Sequence, residues 1–379
     1  MLRDLDKTDT TVLKGIAISA IVLHNYFHFI GPVHQNEFTF RPDRFWVFVA
    51  QVRHPSLAIQ AFFSFFGHFG VQVFIFLSAY GLARSYWDSK ATWTTFMAGR
   101  VKKLYPAFGL VLIPWVIASS LTLGPLVFFK QSGAKLILML AGVSTILPGY
   151  GLPPVGPWWF IPFILQLYAI WFLLRKVTNR FGWQGLVVLS LGCLVLTQLA
   201  NPFLFRWQIN LLTTPIGRMP NICLGIAAAR YRIRIGAPLA LAAGAVLLVG
   251  SFYAPLWPLT FLSALVLVLW IYMKCRQSLR AIPLLQRIGL YSMFIFLVNG
   301  IVRNEFVFRG RTVPSQLMFA CFSFATSFAI SAAMFEFLLP RADRSAGSKS
   351  AVVAAEQKEK ECPVIPLPSP RVPAKAATR

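Results

Sequence analysis

The stretch LALAAGAVLLVGSFYAPLWPLTFLSALVLVLWIYM, residues 239–273, runs 35 positions without a charged side chain. A soluble amphipathic helix keeps a polar face, and a membrane-barrel strand alternates over about 10 residues. Continuous apolarity at this length reads as lipid-embedded helix, and the stretch divides into two crossings, 237–253 and 256–273.

Working outward, comparable runs recur along the whole chain. The sequence predicts an all-α, polytopic transmembrane bundle of ten spans: 13–31, 57–83, 104–123, 158–174, 184–200, 211–229, 237–253, 256–273, 288–302 and 315–338. Hydrophobic residues make up 57% of the chain and charged residues 13%, too apolar a balance for one soluble domain of 379 residues. Residues 124–157 fit less well. Their apolar stretch is short and ends in a Gly/Pro cluster, so they read either as an interfacial helix with an external loop or as a re-entrant element. From Arg341 onward hydrophobic periodicity stops, which divides the chain into a membrane-embedded region, 1–340, and a disordered cytoplasmic tail, 341–379.

Charge orients the spans. Of the 36 Lys and Arg residues, 26 fall in the connections on the side of the two termini and nine on the other side, so both termini are expected in the cytoplasm. The net charge of +24 is then mainly topology, with some attraction to anionic membrane lipid. Nucleic acid is not an expected partner, because the basic residues are dispersed over short loops instead of forming a stripe with stacking aromatics. The five cysteines show no metal-ligand spacing, and neither a disulfide nor a metal site is expected. The N-terminus, MLRDLDKTDTTVLKG, lacks a small-residue cleavage site, so the first apolar run is expected to stay as a helix. No internal repeat is visible, and no motif encodes an oligomeric state.

Within that first run, LKGIAISAIVLHNYFHF (13–29), His24 lies ten residues beyond Lys14, about 15 Å deeper along a helix. An imidazole at that depth faces either a functional cavity or a helix–helix hydrogen bond. His28 follows one turn later on the same face, as a proton-relay partner or an interface residue. Arg218 sits mid-span in TTPIGRMPN (213–221), where Pro215, Gly217 and Pro220 interrupt the helix, a combination that suggests an anion or acyl-carbonyl site. His68 lies between Gly67 and Gly70, which admit close approach by a helix or an acyl chain. Ser78 and Tyr80 offer hydroxyls to a substrate or oxyanion, although a mid-helix serine usually bonds its own backbone. Trp158 and Trp159 read as an interface anchor or as a surface on which a sugar stacks.

Five segments in order, LKGIAISAIVLHN, FGHFGVQVFIFLSAYGLA (66–83), RVKKLYPAF (100–108), GPWWFIPFILQLY (156–168) and IGLYSMFIFLVN (288–299), resemble the acyltransferase 3 family of bacterial membrane proteins. The resemblance implies a multi-pass protein of the bacterial inner membrane that transfers an acetyl or similar group from cytoplasmic acetyl-CoA, or another acyl-CoA, to a lipid-linked or exported polysaccharide such as O-antigen or exopolysaccharide. No permanently bound cofactor is implied. It casts His24 as the base that takes the sugar hydroxyl proton, with His28 and Arg218 in the catalytic group. Lys14, Arg100, Lys102 and Lys103 are cast as ligands of the CoA phosphates, since Arg100–Lys103 open the third predicted helix, although positive-inside flanking explains them equally well.

Three departures from the family pattern stand out. The usual arginine is Lys14, only nine residues separate it from His24 where ten are usual, and Asn25 occupies the strict spacing. Asn299, a candidate substrate contact, stands where many members carry histidine. Two other readings stay open on the sequence: a transporter or flippase for a lipid-linked sugar, and an inactive family member acting as an assembly partner.

Overall fold

A computed structural model describes residues 1–31 and 33–338; the predicted tail, 341–379, lies outside the described residues. Among the described residues all regular structure is helical, in fourteen α-helices with short 3-10 and π turns. Helix α1 (Lys7–Phe27) starts with a reciprocal cap: the Asp6 carboxylate accepts from the Asp9 N–H, and the Asp9 carboxylate accepts from the Asp6 N–H. Short α2 (Pro42–Val52) precedes α3 (Ala58–Phe66), which passes through a 3-10 turn at Gly67–Phe69 into α4 (Gly70–Ser85). Then follow α5 (Trp93–Leu123), α6 (Pro125–Leu140), α7 (Phe160–Phe205) and α8 (Met219–Arg230). The chain continues with α9 (Ala237–Gly250), α10 (Trp257–Lys274), α11 (Arg276–Arg280), α12 (Pro283–Leu290), α13 (Ser292–Phe306) and α14 (Val313–Ala333).

Among the described residues, five stretches are long and apolar enough to cross a membrane: Ala58–Ser85, Trp93–Leu123, Gly156–Phe205, Ala254–Lys274 and Val313–Glu336. Helices α12 and α13 qualify as a sixth when taken together, across a 76° bend. The stretch predicted as spans 158–174 and 184–200 is α7, which is broken into two helical segments at Gly182, where φ is +62°. A Cβ on Gly185 would lie 3.3 Å from the Val177 carbonyl oxygen. Eight residues of continuous helix cover about 12 Å, so the chain folds back sharply at Gly182, whose left-handed φ a larger residue would resist.

Residues 124–157 form α6 and the irregular connection to α7. Gly124 turns the chain with φ +83°, and α6 runs back beside α5 until the Tyr105 hydroxyl donates to the Leu140 carbonyl. Tyr105 lies 18 residues, about 27 Å, along α5 from Leu123. The backbone that follows is irregular, and the Gln166 amide satisfies it by donating to the Gly142 carbonyl and the Thr145 hydroxyl, as buried non-helical backbone requires.

Hydrogen bonds sort the connections into two ends. At one, Tyr80 donates to the carbonyls of Arg3 and Leu5, Leu2 N–H donates to the Ile233 carbonyl, and Arg175 donates to the carbonyls of Trp87 and Ser89. Here Asp9, fully buried, accepts from Tyr272 and Arg276. At the other end Asn210 donates to the Phe38 carbonyl, Phe38 meets Trp159, and Phe40 meets Trp257. The first end collects the connections rich in Lys and Arg.

Candidate active site

Helix α1 presents His24 and Asn25 to different neighbours, because successive residues are rotated by about 100°. Asn25 donates to the Asn299 side-chain oxygen of α13 at 2.7 Å. His24, buried, turns instead to α3, where its Nδ1 lies 3.2 Å from the Phe63 carbonyl oxygen. A carbonyl only accepts, so Nδ1 carries the hydrogen and Nε2 is the basic nitrogen. Among the described residues it is a backbone carbonyl, and no carboxylate, that orients this histidine.

Glycine makes that approach possible. A Cβ on Gly67 would sit 2.6 Å from the Ala20 carbonyl oxygen and 2.7 Å from the His24 Cβ, and one on Gly70 would sit 2.5 Å from the Ala17 carbonyl oxygen. Both glycines therefore serve helix contact in the structure, and they seat His68 against His24 with ring centroids 5.3 Å apart. His28 lies 5.4 Å from His24 on the other side, and His34, in the following loop, lies 5.9 Å from His28. Four of the five histidines thus form one file, His68–His24–His28–His34.

Arg218 occupies the turn before α8, fully buried. The expected break in the span is there: a 3-10 turn at Leu211–Thr213 and irregular backbone precede a helix of only 12 residues. Its Nε donates to the Leu212 carbonyl at 2.9 Å, one Nη donates to the Glu37 carbonyl at 3.2 Å, and the guanidinium lies 3.9 Å over the Phe261 ring. One turn on, Asn221 donates to Gln72 at 3.0 Å. Several buried polar atoms around this group lack protein partners: both ring nitrogens of His68, Gln72 Nε2, Arg218 Nη1, Ser64 Oγ and Gln60 Oε1. Each such atom costs about 1–3 kcal/mol when left unpaired, and a bound acceptor-rich group would satisfy the donors among them. In the loop, burial pushes the Glu37 carboxyl up, against the opposing pull of Arg218.

The other candidates lie elsewhere. Arg100 is at the opposite end, over the Tyr86 ring at 4.2 Å and near Phe96 and Tyr168, and Lys102 and Lys103 are exposed beside it. These residues do not open their helix as expected. Thr92 caps α5 by accepting from the Thr95 N–H, so the helix starts at Trp93 and Arg100–Lys103 fall in about its third turn, away from the helix terminus. Lys14 is half-buried in the N-terminal half of α1. Ser78 donates to its own-helix Phe74 carbonyl and Tyr80 to the N-terminal segment. Trp158 is fully buried, donating to the Leu297 carbonyl at 2.9 Å, and Trp159 is buried against Phe38. The tryptophan pair is therefore in the protein interior, whereas an interface anchor would show a face to lipid.

Sequence reasoning missed the Phe63 carbonyl, Gln72, Asn221, Glu37 and His34. Gln72 carried a readable signal, an amide inside an apolar run four residues after His68.

No curated protein and no solved structure matches the chain. The family model described as an acyltransferase domain, acyltransferase 3, matches residues 8–336. That interval contains every helix from α1 to α14 apart from the first residue of α1. With nearly the whole chain matched and its apolar helices fit to cross a bilayer, this protein belongs to the acyltransferase 3 family.

Proposed function

We propose that the protein is an O-acyltransferase of the bacterial inner membrane, moving an acetyl group from cytoplasmic acetyl-CoA to a hydroxyl of a lipid-linked or exported polysaccharide. The observation that carries this is His24: a buried imidazole whose Nδ1 faces the Phe63 carbonyl, a tautomer that makes Nε2 the basic nitrogen. General-base help of this kind is typically worth 10² to 10⁴ in rate.

In this reading both termini are cytoplasmic and the chain crosses ten times, with Lys14, Arg100, Lys102 and Lys103 on the donor side holding phosphate. His24 Nε2 takes the hydroxyl proton as the oxygen attacks the thioester carbonyl. The unpartnered Arg218 Nη1 and Gln72 Nε2 supply donors for the oxygen on which charge develops, and His68 and Asn299 belong to the acceptor side. Deleting the gene and measuring base-labile acyl groups on the cell's glycans by NMR tests the reading. The esters are expected to disappear on deletion and return with the wild-type gene, and unchanged ester content would overturn it.

A further inference from the structure

We propose that His24, His28 and His34 form an outward proton path, so that each acyl transfer carries one proton from the N-terminal side of the membrane to the other. The inference rests on the acyl-transfer reading above and adds a destination for the proton that reading removes from the acceptor.

The geometry is that of a graded file. His24 is buried, His28 half-buried and His34 exposed, with successive centroids 5.4 and 5.9 Å apart. At those separations ring nitrogens exchange a proton directly or through one bridging water. His28 Nδ1 is buried without a protein partner, an open position in the middle of the file. His34 is held with φ +43°, in the left-handed region that a non-glycine residue seldom adopts, and its Nδ1 donates to the His28 carbonyl. That bond fixes the ring against the end of α1 and leaves Nε2 as the nitrogen that meets solvent. The charged groups bearing on these rings are Arg303 from α13, Arg44 from α2 and, at His68, Arg218. All are cations, so none of them would trap a proton in transit.

The chemistry balances. The acceptor oxygen forms the new C–O bond, the thioester C–S bond breaks, and the hydroxyl proton passes to His24 Nε2. The CoA thiolate, an alkyl thiolate that takes up a proton below a pKa of about 8.5, is reprotonated from the donor side. If the His24 proton leaves through His28 and His34, one proton is taken up on the donor side and one released on the acceptor side. If it returns directly to the thiolate, no net proton crosses.

The test uses the full-length protein in sealed liposomes selected for outward N-termini, with a pH dye in the lumen. Glycolipid extracted from the deletion strain is placed in the bilayer and acetyl-CoA is added outside. Wild type is expected to release about one lumenal proton for each ester formed. His28→Phe and His34→Phe are expected to form ester more slowly and with lumenal proton release near background. His34 is exposed, so its variant tests the path even if His28→Phe does not fold. Ester without lumenal protons in wild type, or wild-type proton yield in either variant that forms ester, overturns the path alone. No ester from wild type overturns the acyl-transfer reading and the path with it.

Discussion

Asn25 of α1 and Asn299 of α13 hydrogen-bond to each other at 2.7 Å, with Asn299 also donating to the carbonyls of Ile295 and Phe296. Positions 25 and 299, set apart in the sequence by the histidine pattern that the resemblance implies, therefore form one interhelical clamp. Single replacements, Asn25→Ala and Asn299→Ala, are each expected to cost about 1 kcal/mol, with a double-mutant coupling of about 0.6 kcal/mol. Thermal unfolding in detergent checks this, and additive losses would mean the pair is not coupled.

Gly67 is the contact on which the position of His24 depends. Gly67→Ala places a methyl group 2.7 Å from the His24 Cβ and 2.6 Å from a backbone oxygen. We expect a loss of about 1–3 kcal/mol from overpacking, together with a tenfold or greater fall in acyl transfer. Gly81→Ala, where no atom lies within 4 Å of the added methyl, serves as the control and should not destabilise the protein.

At the N-terminal end, fully buried Asp9 accepts from Tyr272 at 2.7 Å and from Arg276 Nε at 2.8 Å. Asp9→Ala leaves the buried Tyr272 hydroxyl unpaired and removes a partner from half-exposed Arg276, and is expected to cost about 1–3 kcal/mol. Expression level and melting temperature report it directly.

Glu37 supplies a pH prediction. Its folded carboxyl is pushed up by burial, so it contributes stability that is fully present below the unfolded value of about 4.3 and is lost as pH rises through the folded value. Glu37→Gln should flatten this part of the stability profile. A wild-type melting temperature that rises across the same interval while the variant's stays flat would contradict it.

The sequence made the helical class, the depth of His24 and the break around Arg218 legible, because each is a matter of composition and spacing along one helix. It could not show that His68 meets His24, since that contact depends on two glycines pressing 3-10 backbone against α1. Nor could it show the Phe63 carbonyl, because a main-chain acceptor has no residue signature. The start of α5 was misplaced for a related reason. Its first ten residues, including Arg100, are amphiphilic, and hydropathy alone does not reveal the Thr92 cap.

The central claim is that His24, and not the residue at the strict family spacing, performs the base chemistry. The most direct measurement compares glycan-bound, base-labile acyl groups by NMR in a deletion strain complemented with wild type, His24→Ala or Asn25→Ala at matched membrane abundance. We predict loss of the esters with His24→Ala and retention with Asn25→Ala. Retention with His24→Ala would contradict the account.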